Sequence, residues 1–537
     1  MLGRIAVHHG QRSAESGVGF RGRDITTVAM AFLLTVAVRL VPVLRGGGLR
    51  GFGSYDDAVY YASAVGLVHD RLPYRDFLLL QPPGVIVMLA PFAALGRIIG
   101  EANGMATARL AWMIMGGLTA VGIAIFLRPL GRLAAMAAAM FYAFFGPAAM
   151  TERGTYLEAP QSLLMIITVL LLFPVRPGRA ATATRLVAVF AGLALGIDLG
   201  TKIWTLMVVV AVLGWLAIQR RFTELAWLVP SMVAAALAVY LPFFLAAPVR
   251  MWRMVVLDQL GRARYRNWTH RLADITGTSQ PTNSHLPLAH AAIPLALTAM
   301  AVSLVLAFRV RHVRPVALLY VLLVGLLIAV PPTFVHYGAL IGVPAAILVG
   351  TAVSELARLA RKVRMPWRPV PLAALGIVVV LALTAMAYPQ ATARVNHPML
   401  VGRLASALHV PGCISFDSPS PALSLGLVDR NLDRGCPLMV DLGGLGDQLS
   451  QGTGKGRSRN HPWQRVARRY LGSGVVVVLY RINHGLGADR ATRRVIDHWP
   501  VIARSHGIVI RRPPHVRAVR SAGPVKHPSS TGHDVTG

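Results

Sequence analysis

The sequence predicts an all-α polytopic membrane protein with a small α/β domain toward its C-terminal end. Three observations lead there. Of the 537 residues 55% are hydrophobic and only 14% are charged, giving a mean hydropathy of +0.56, whereas a soluble chain of this length needs far more charge to cover its surface. The apolar residues fall in runs that approach the roughly 20 residues a bilayer crossing takes. From about residue 389 the composition changes to mixed, turn-rich sequence that holds both cysteines.

Residues 1–24 are polar and basic, without the short apolar stretch and small-residue cleavage site of a signal peptide, so the first span is expected to act as the insertion signal. Apolar runs then cover 25–44, 83–99, 106–127, 132–150, 157–175, 185–199, 203–218, 225–247, 291–308, 315–331, 336–354 and 369–388. The N-terminal segment carries Arg4, Arg12, Arg21 and Arg23, which places it in the cytoplasm. If every run crossed, the loops holding Arg128/Arg132, Arg176/Arg179/Arg185, Arg220/Arg221, Arg309/Arg311/Arg314 and Arg358 to Arg368 would lie outside, against the positive-inside rule. The conflict lifts if 83–99 does not cross. That run opens with Pro82-Pro83-Gly84 and contains Pro91, so it reads as a juxtamembrane or re-entrant segment. About eleven spans remain, with the N-terminus inside and the chain beyond 390 outside; twelve crossings with the N-terminus outside is the rival arrangement.

The net charge of +32 does not point to nucleic acid, because a nucleic-acid binder gathers its charge on a soluble face. Here much of it sits in short loops between spans. The excess of Arg over Lys, with abundant Ala and Gly, suggests a GC-rich bacterial genome. In the segment 391–512, Val475–Leu479 and Ile508–Ile510 read as strands and 488–498 as a helix. Cys413 and Cys436 pair as a disulfide in an oxidising compartment, or are two unrelated buried thiols. Residues 513–537 read as a disordered tail.

The candidate chemistry gathers at loops on one side. The first external loop, 45–105, places Asp56 and Asp57 just after the first span. Adjacent carboxylates beside a membrane repel each other and lose hydration, which points to proton abstraction or to binding of a cation or sugar hydroxyls. Ser54 or Asp56 capping a helix from about 57 is the competing use. Arg75, in Leu72-Pro-Tyr-Arg-Asp-Phe77, meets an anionic phosphate or pairs with Asp76. In the second external loop, Glu158 stands at the mouth of an apolar helix, as a functional charge or as a first-turn acid favoured by the helix dipole. Arg153 is its expected partner or a phosphate contact. Asp198 and Lys202, at i and i+4, form a neutral pair if helical; otherwise Lys202 presents its charge to a phosphodiester. His336-Tyr337 falls at another external boundary. The Arg-rich segment 248–290, with Trp252 and Trp268, suits a belt gripping lipid headgroups. The sequence contains no Gly-rich nucleotide loop, zinc-spaced cluster or nucleophile elbow, so an external site would draw on a donor delivered by lipid.

These residues together resemble the GT-C superfamily, in particular bacterial relatives of the protein O-mannosyltransferases and of the polyprenyl-phosphate-sugar glycosyltransferases. The resemblance covers about residues 25–390. It rests on Asp56-Asp57, on Leu72 to Phe77 followed by Pro82-Pro-Gly, and more weakly on Arg109, Arg153 to Glu158, Gly192 to Lys202 and His336-Tyr337. It implies a membrane-embedded inverting transferase that moves a mannose- or arabinose-like sugar from a polyprenyl-phosphate donor to an external glycan, lipid or protein acceptor, in contact with membrane lipids. Asp56 or Asp57 would be the base, with Glu158 as a further acid. Lys202, Arg153, Arg75 and Arg109 would hold the donor phosphate, and Tyr55, Asp198, His336 and Tyr337 would complete the pocket. No cofactor is implied with certainty. A divalent metal stays open, with the lack of an Asp pair in the second loop counting against it. A secondary transporter with Asp198 and Lys202 as a midplane ion site, or a non-catalytic polytopic protein, is the alternative reading.

Overall fold

The computed structural model describes residues 22–173, 181–262, 268–279, 289–331, 333–362, 391, 395–398, 401–451, 456–482 and 485–514. The expected span 369–388, and all but the first two residues of the expected tail 513–537, lie outside them. The membrane part runs α1 (Gly22–Arg45), α2 (Tyr55–Val68), α3 (Gly84–Ile99), α4 (Glu101–Leu127), α5 (Arg132–Phe144), α6 (Gly146–Glu152), α7 (Glu158–Leu172), α8 (Ala181–Thr201), α9 (Leu206–Ile218), α10 (Phe222–Ala246), α11 (Ala289–Arg309), α12 (Arg314–Ala329) and α13 (Gly342–Lys362). Among the described residues six helices are long and apolar enough to cross a bilayer, and the pair α5–α6, bent by 64°, makes a seventh candidate. Four shorter apolar helices, α3, α7, α12 and Ile203–Ile218, accompany them. The protein is a polytopic α-helical membrane protein. The run 83–99 forms α3, whose 16 residues fall short of a full crossing; it packs between α2 and α4.

Close helix contact depends on small residues, as expected where lipid removes the hydrophobic drive between helices. Gly192 and Gly196 lie one turn apart on α8 against α10. A Cβ at these positions would sit 2.3 Å from the Leu228 carbonyl oxygen and 2.2 Å from that of Met232. Part of the Gly192 to Lys202 stretch is therefore a helix-packing surface.

The bend between α5 and α6 falls at Gly146-Pro147, where proline lacks the N–H that would continue the helix. Carbonyls freed there are taken up by a buried guanidinium from α1. Arg39 donates to the carbonyl oxygens of Ala143 and Tyr142 and, through Nε, to Glu152 Oε2 at 2.7 Å. The Tyr142 hydroxyl donates to Glu152 Oε1 at 2.5 Å. Both charged side chains are fully buried, so the pair ties α1 to both halves of the bent span.

The C-terminal domain is built on a four-stranded sheet of order β1-β2-β4-β3. β1 (Ile414–Phe416) runs parallel to β2 (Val476–Leu479); β4 (Ile508–Arg511) is antiparallel to both β2 and β3 (Val501–Ser505). Its helices include α14 (Leu427–Asp433), α15 (Leu442–Ser450), α16 (His461–Leu471) and α17 (Arg490–Asp497). The expected strands at 475–479 and 508–510 and the helix at 488–498 correspond to β2, β4 and α17. β1, of three residues, and β3, whose Val501 and Ile502 are exposed, lack the buried apolar run that marks a strand in sequence. Cys413 and Cys436 are disulfide-bonded, joining the start of β1 to the turn after α14. The domain sits on the first loop and on α4. The Ser420 hydroxyl accepts the Gly53 N–H, Phe52 lies against the rings of His397 and Tyr480, and Glu101 accepts the N–H groups of Val428 and Asp429 in the first turn of α14.

Removing one member of a buried ion pair strands the other. Arg39→Met is expected to lower stability by about 3–5 kcal/mol, read as a fall in unfolding temperature in detergent. Arg39→Met/Glu152→Leu should recover much of that loss. Equal melting of the single and double variants would show that neutralising Glu152 is not what Arg39 does.

Candidate active site

The two adjacent aspartates of the first loop have opposite fates. α2 starts at Tyr55 with Ser54 at its N-cap position, but Ser54 makes no side-chain cap; its hydroxyl is hydrogen-bonded to that of Tyr156. Nor does Asp56 cap the helix, since both aspartates lie inside its first turn, where carboxylates favour the helix dipole. Asp57 is buried and fully engaged. Arg109, from α4, donates to its Oδ2 through Nε (3.1 Å) and Nη2 (2.5 Å). Thr155, from the second loop, places its N–H (2.7 Å) and hydroxyl (2.8 Å) on Oδ1. Gly154 lets this loop approach, because a Cβ there would stand 3.0 Å from the Asp57 carboxyl carbon.

Asp56 faces a cavity of about 460 Å³. Among the described residues its carboxylate has no hydrogen bond or ion pair. Burial raises its pKa, and nearby Asp441 adds to the rise, while His336, Arg481 and Arg262 oppose it. The cavity wall draws on Gly53 to Asp56, Val59, Tyr60 and Leu79 to Gln81 of the first loop, on Met150 and Tyr156, on Arg262, on Phe334 to Tyr337, and on residues of the C-terminal domain including Asp441, Asp447, Arg457, Tyr480 and Arg481.

The C-terminal contribution is held firmly. The Tyr55 hydroxyl donates to Asp441 Oδ1 at 2.9 Å and accepts the Gly443 N–H, and Arg481 lies 4.0 Å over the Tyr55 ring. Asp417 accepts the N–H groups of Tyr480 (2.8 Å) and Ile482 (2.6 Å), which aims Tyr480 and Arg481 into the cavity; burial pushes its own carboxyl up to about 6. Arg457 pairs with Asp447 at 3.2 Å. Arg262 Nε has no hydrogen-bond partner among the described residues. Among the described residues neither Arg262 nor Arg481 has a carboxylate in ion-pair contact, and both line the cavity.

Glu158, Lys202, Asp198, Arg153, Arg75 and Arg109 do not line the cavity. Lys202 does not pair with Asp198. α8 ends at Thr201; the Lys202 N–H still bonds the Asp198 carbonyl oxygen, but the Lys202 backbone is extended and its ammonium reaches Glu158 instead. Both members of that pair are buried. Lys202 Nζ also sits 4.1 Å over the Tyr337 ring, and His336 Nε2 is 4.0 Å from Glu158 Oε1. The Glu158–Lys202 pair therefore lies one layer behind the wall and supports His336 and Tyr337, which do face the cavity. Asp198 accepts from the hydroxyls of Thr201 and Thr205. Arg153 is buried and donates to the Val38 carbonyl of α1, not to Glu158. Arg75 is exposed and pairs with Asp76 at 2.8 Å. Arg109 spends four N–H donors on Asp57 and on the carbonyls of Leu49 and Gly51, so it has little left for a phosphate.

Sequence reasoning missed Arg262, Asp441, Arg457 and Arg481. The Arg-rich composition of 248–290 was a signal for the first; the others lie in the tail, where no local pattern marks them. Among the described residues, the group of three His or Asp side chains close enough to share an ion is His69, Asp429 and Asp433, at the seam between α2 and α14 and not in the cavity.

No family model and no curated protein matches the chain by sequence. Its structure is similar to that of ArnT from Cupriavidus metallidurans bound to undecaprenyl phosphate, with a TM-score of 0.54 and 15% identity, over 94% of this chain and 99% of that one. It is also similar to the archaeal oligosaccharyltransferase AglB from Archaeoglobus fulgidus in complex with an inhibitory peptide and a dolichol-phosphate, with a TM-score of 0.55 and 13% identity, over 86% of this chain and 70% of that one. Both are members of the GT-C superfamily. The chain has the GT-C fold: a polytopic helical membrane region followed by a C-terminal domain.

Arg109→Gln is expected to destabilise the protein by about 3 kcal/mol or more, whereas Arg75→Ala, which breaks an exposed pair, should change stability by about 0.5 kcal/mol or less. Thermal unfolding of both purified variants tests this; similar melting would contradict the assignment of Arg109 as the buried partner of Asp57.

Proposed function

We propose that the chain is a GT-C glycosyltransferase that moves a mannose- or arabinose-like sugar, with inversion, from a polyprenyl-phosphate donor to an acceptor hydroxyl on the extracytoplasmic side of the cell membrane. The observation that carries this reading is the separation of the two aspartates. Asp57 is consumed by Arg109 and Thr155, and Asp56 is left as an unpaired carboxylate facing a polar cavity. In the proposed reaction Asp56 takes the proton of the acceptor hydroxyl. The oxygen bonds to the anomeric carbon from the face opposite the phosphate, and the carbon–oxygen bond to the phosphate breaks. The charge gathering on the departing phosphate is met by Arg262 and Arg481, preplaced in a partly buried site where such stabilisation is most effective. The phosphate-holding role expected of Lys202, Arg153, Arg75 and Arg109 passes to these two. The likeness to proteins solved with undecaprenyl phosphate and dolichol-phosphate supports a lipid-phosphate donor. The proposed topology keeps the N-terminus in the cytoplasm, residues 25–390 as the catalytic membrane domain, and 391–512 with the cavity outside.

With polyprenyl-phosphate sugars in detergent or vesicles, Asp56→Asn is expected to lower kcat by about 10²- to 10⁴-fold with unchanged melting. Parental turnover in that variant would end the proposal.

A raised carboxyl pKa also sets a pH limit. The base form of Asp56 is lost as pH falls through a value above the ordinary carboxylate range, so kcat/KM should decline on the acid side earlier than for an exposed Asp. Because Arg481 opposes the rise, Arg481→Gln is expected to move that limb to still higher pH. An acid limb unmoved by Arg481→Gln would argue against Asp56 as the titrating base.

A further inference from the structure

The C-terminal domain carries a second charged feature, on the face away from the sheet. Residues 461–512 hold ten arginines and two aspartates, and both aspartates are occupied. Asp489 caps α17 by accepting the Thr492 N–H, and Asp497 pairs with Arg511 at 3.0 Å. The arginines fall in register. On α16, Arg465 and Arg469 stand at i and i+4, opposite the buried Trp463 and Ala467. On α17, Arg490, Arg493 and Arg494 stand at i, i+3 and i+4, opposite the buried Thr492 and Ile496. This spacing puts each set on one face of its helix. All five are exposed, and none has an ion-pair partner among the described residues.

Gln464 joins the two helices and the cavity wall. Its Nε2 donates to the carbonyls of Arg457 (3.0 Å) and Gly487 (2.9 Å), and its Oε1 accepts the Asp489 N–H (3.1 Å). Arg457 lines the cavity, and exposed Arg459 follows it on the turn that leads into α16. In chain order the cationic groups lead from Arg457 of the cavity wall through Arg459 into α16, whose 11 residues span about 16 Å.

We propose that this track binds the acceptor, a linear polymer bearing repeated phosphodiesters, and feeds its end to the cavity. The inference rests on the glycosyltransferase reading and adds the chemical class of the acceptor. The stripe's guanidiniums, like those throughout this arginine-rich chain, carry planar forks that take two phosphate oxygens at once. Unpaired like charges held side by side repel one another, and a polyanion relieves that repulsion along its length. A lipid headgroup surface fits less well. Interfacial helices set aromatic and large apolar side chains among their cations, but here Trp463 and Trp499 are buried in the domain core and the largest apolar side chains exposed on the two helices are the small Val466 and Val495.

The test uses the full chain in neutral detergent, with fluorescent poly(glycerol phosphate) as the probe and vesicles of phosphatidylglycerol and a polyuronate as competitors. Arg465→Gln/Arg469→Gln/Arg490→Gln/Arg493→Gln/Arg494→Gln is expected to weaken probe binding by about tenfold or more and to flatten its dependence on salt, with unchanged melting. Asp56→Asn should bind the probe as the parent does while failing in sugar transfer, so loss of the track and loss of catalysis are read separately. Equal probe binding by parent and quintuple variant, or stronger competition by vesicles or polyuronate than by unlabelled poly(glycerol phosphate), would overturn the proposal.

Discussion

A buried carboxylate must be neutralised where it lies, and the partnership of Asp57 with Arg109 is the instance on which the cavity depends. It joins the start of α2 to α4, and through Thr155 it draws in the second loop. Successive residues of a helix point about 100° apart, so a partner that captures Asp57 turns Asp56 away from itself. The same bond that engages Asp57 orients Asp56 toward the cavity. An adjacent acidic pair thus resolves into one carboxylate held by Arg109 and Thr155 and one that faces the cavity, a difference that neither residue's identity reveals.

The other buried charges follow the same rule. Arg39 with Glu152 joins two helices, and Lys202 with Glu158 joins the break after α8 to the start of α7; each supports a wall of the site from behind. The first secures the bent span that leads into the second loop; the second lies under His336 and Tyr337. Cations deep in the membrane region are therefore held by carboxylates or backbone carbonyls. Arg262 and Arg481, which line the cavity, come from the segment between α10 and α11 and from the C-terminal domain. That domain is part of the site, since Asp441 fixes Tyr55 and Asp417 aims Arg481.

Much of the fold was legible in the residues. Apolar runs marked nearly every membrane helix, because hydropathy over some 20 residues is a local property and burial in lipid acts on it directly. Run 132–150 was read whole, yet Gly146-Pro147 breaks it at a point that proline chemistry could have flagged. In the tail, the valine run of β2 stood out. β1 and β3 did not, being short or exposed and defined by their neighbours' hydrogen bonds. Of the expected site residues, Asp56, Tyr55, His336 and Tyr337 reach the cavity, while Arg75, Arg109, Arg153, Asp198 and Lys202 do not line it.

The division has one physical origin. Composition and periodicity act over a few turns of chain, so they suffice for the class of fold, for the helices, and for the loop where carboxylates gather. Partner choice acts across the chain. Arg109 reaches back 52 residues to Asp57, Lys202 reaches 44 to Glu158, and Tyr55 meets Asp441 across 386. Which charges cancel and which remain free is set by packing that brings distant segments together, and no local pattern encodes it.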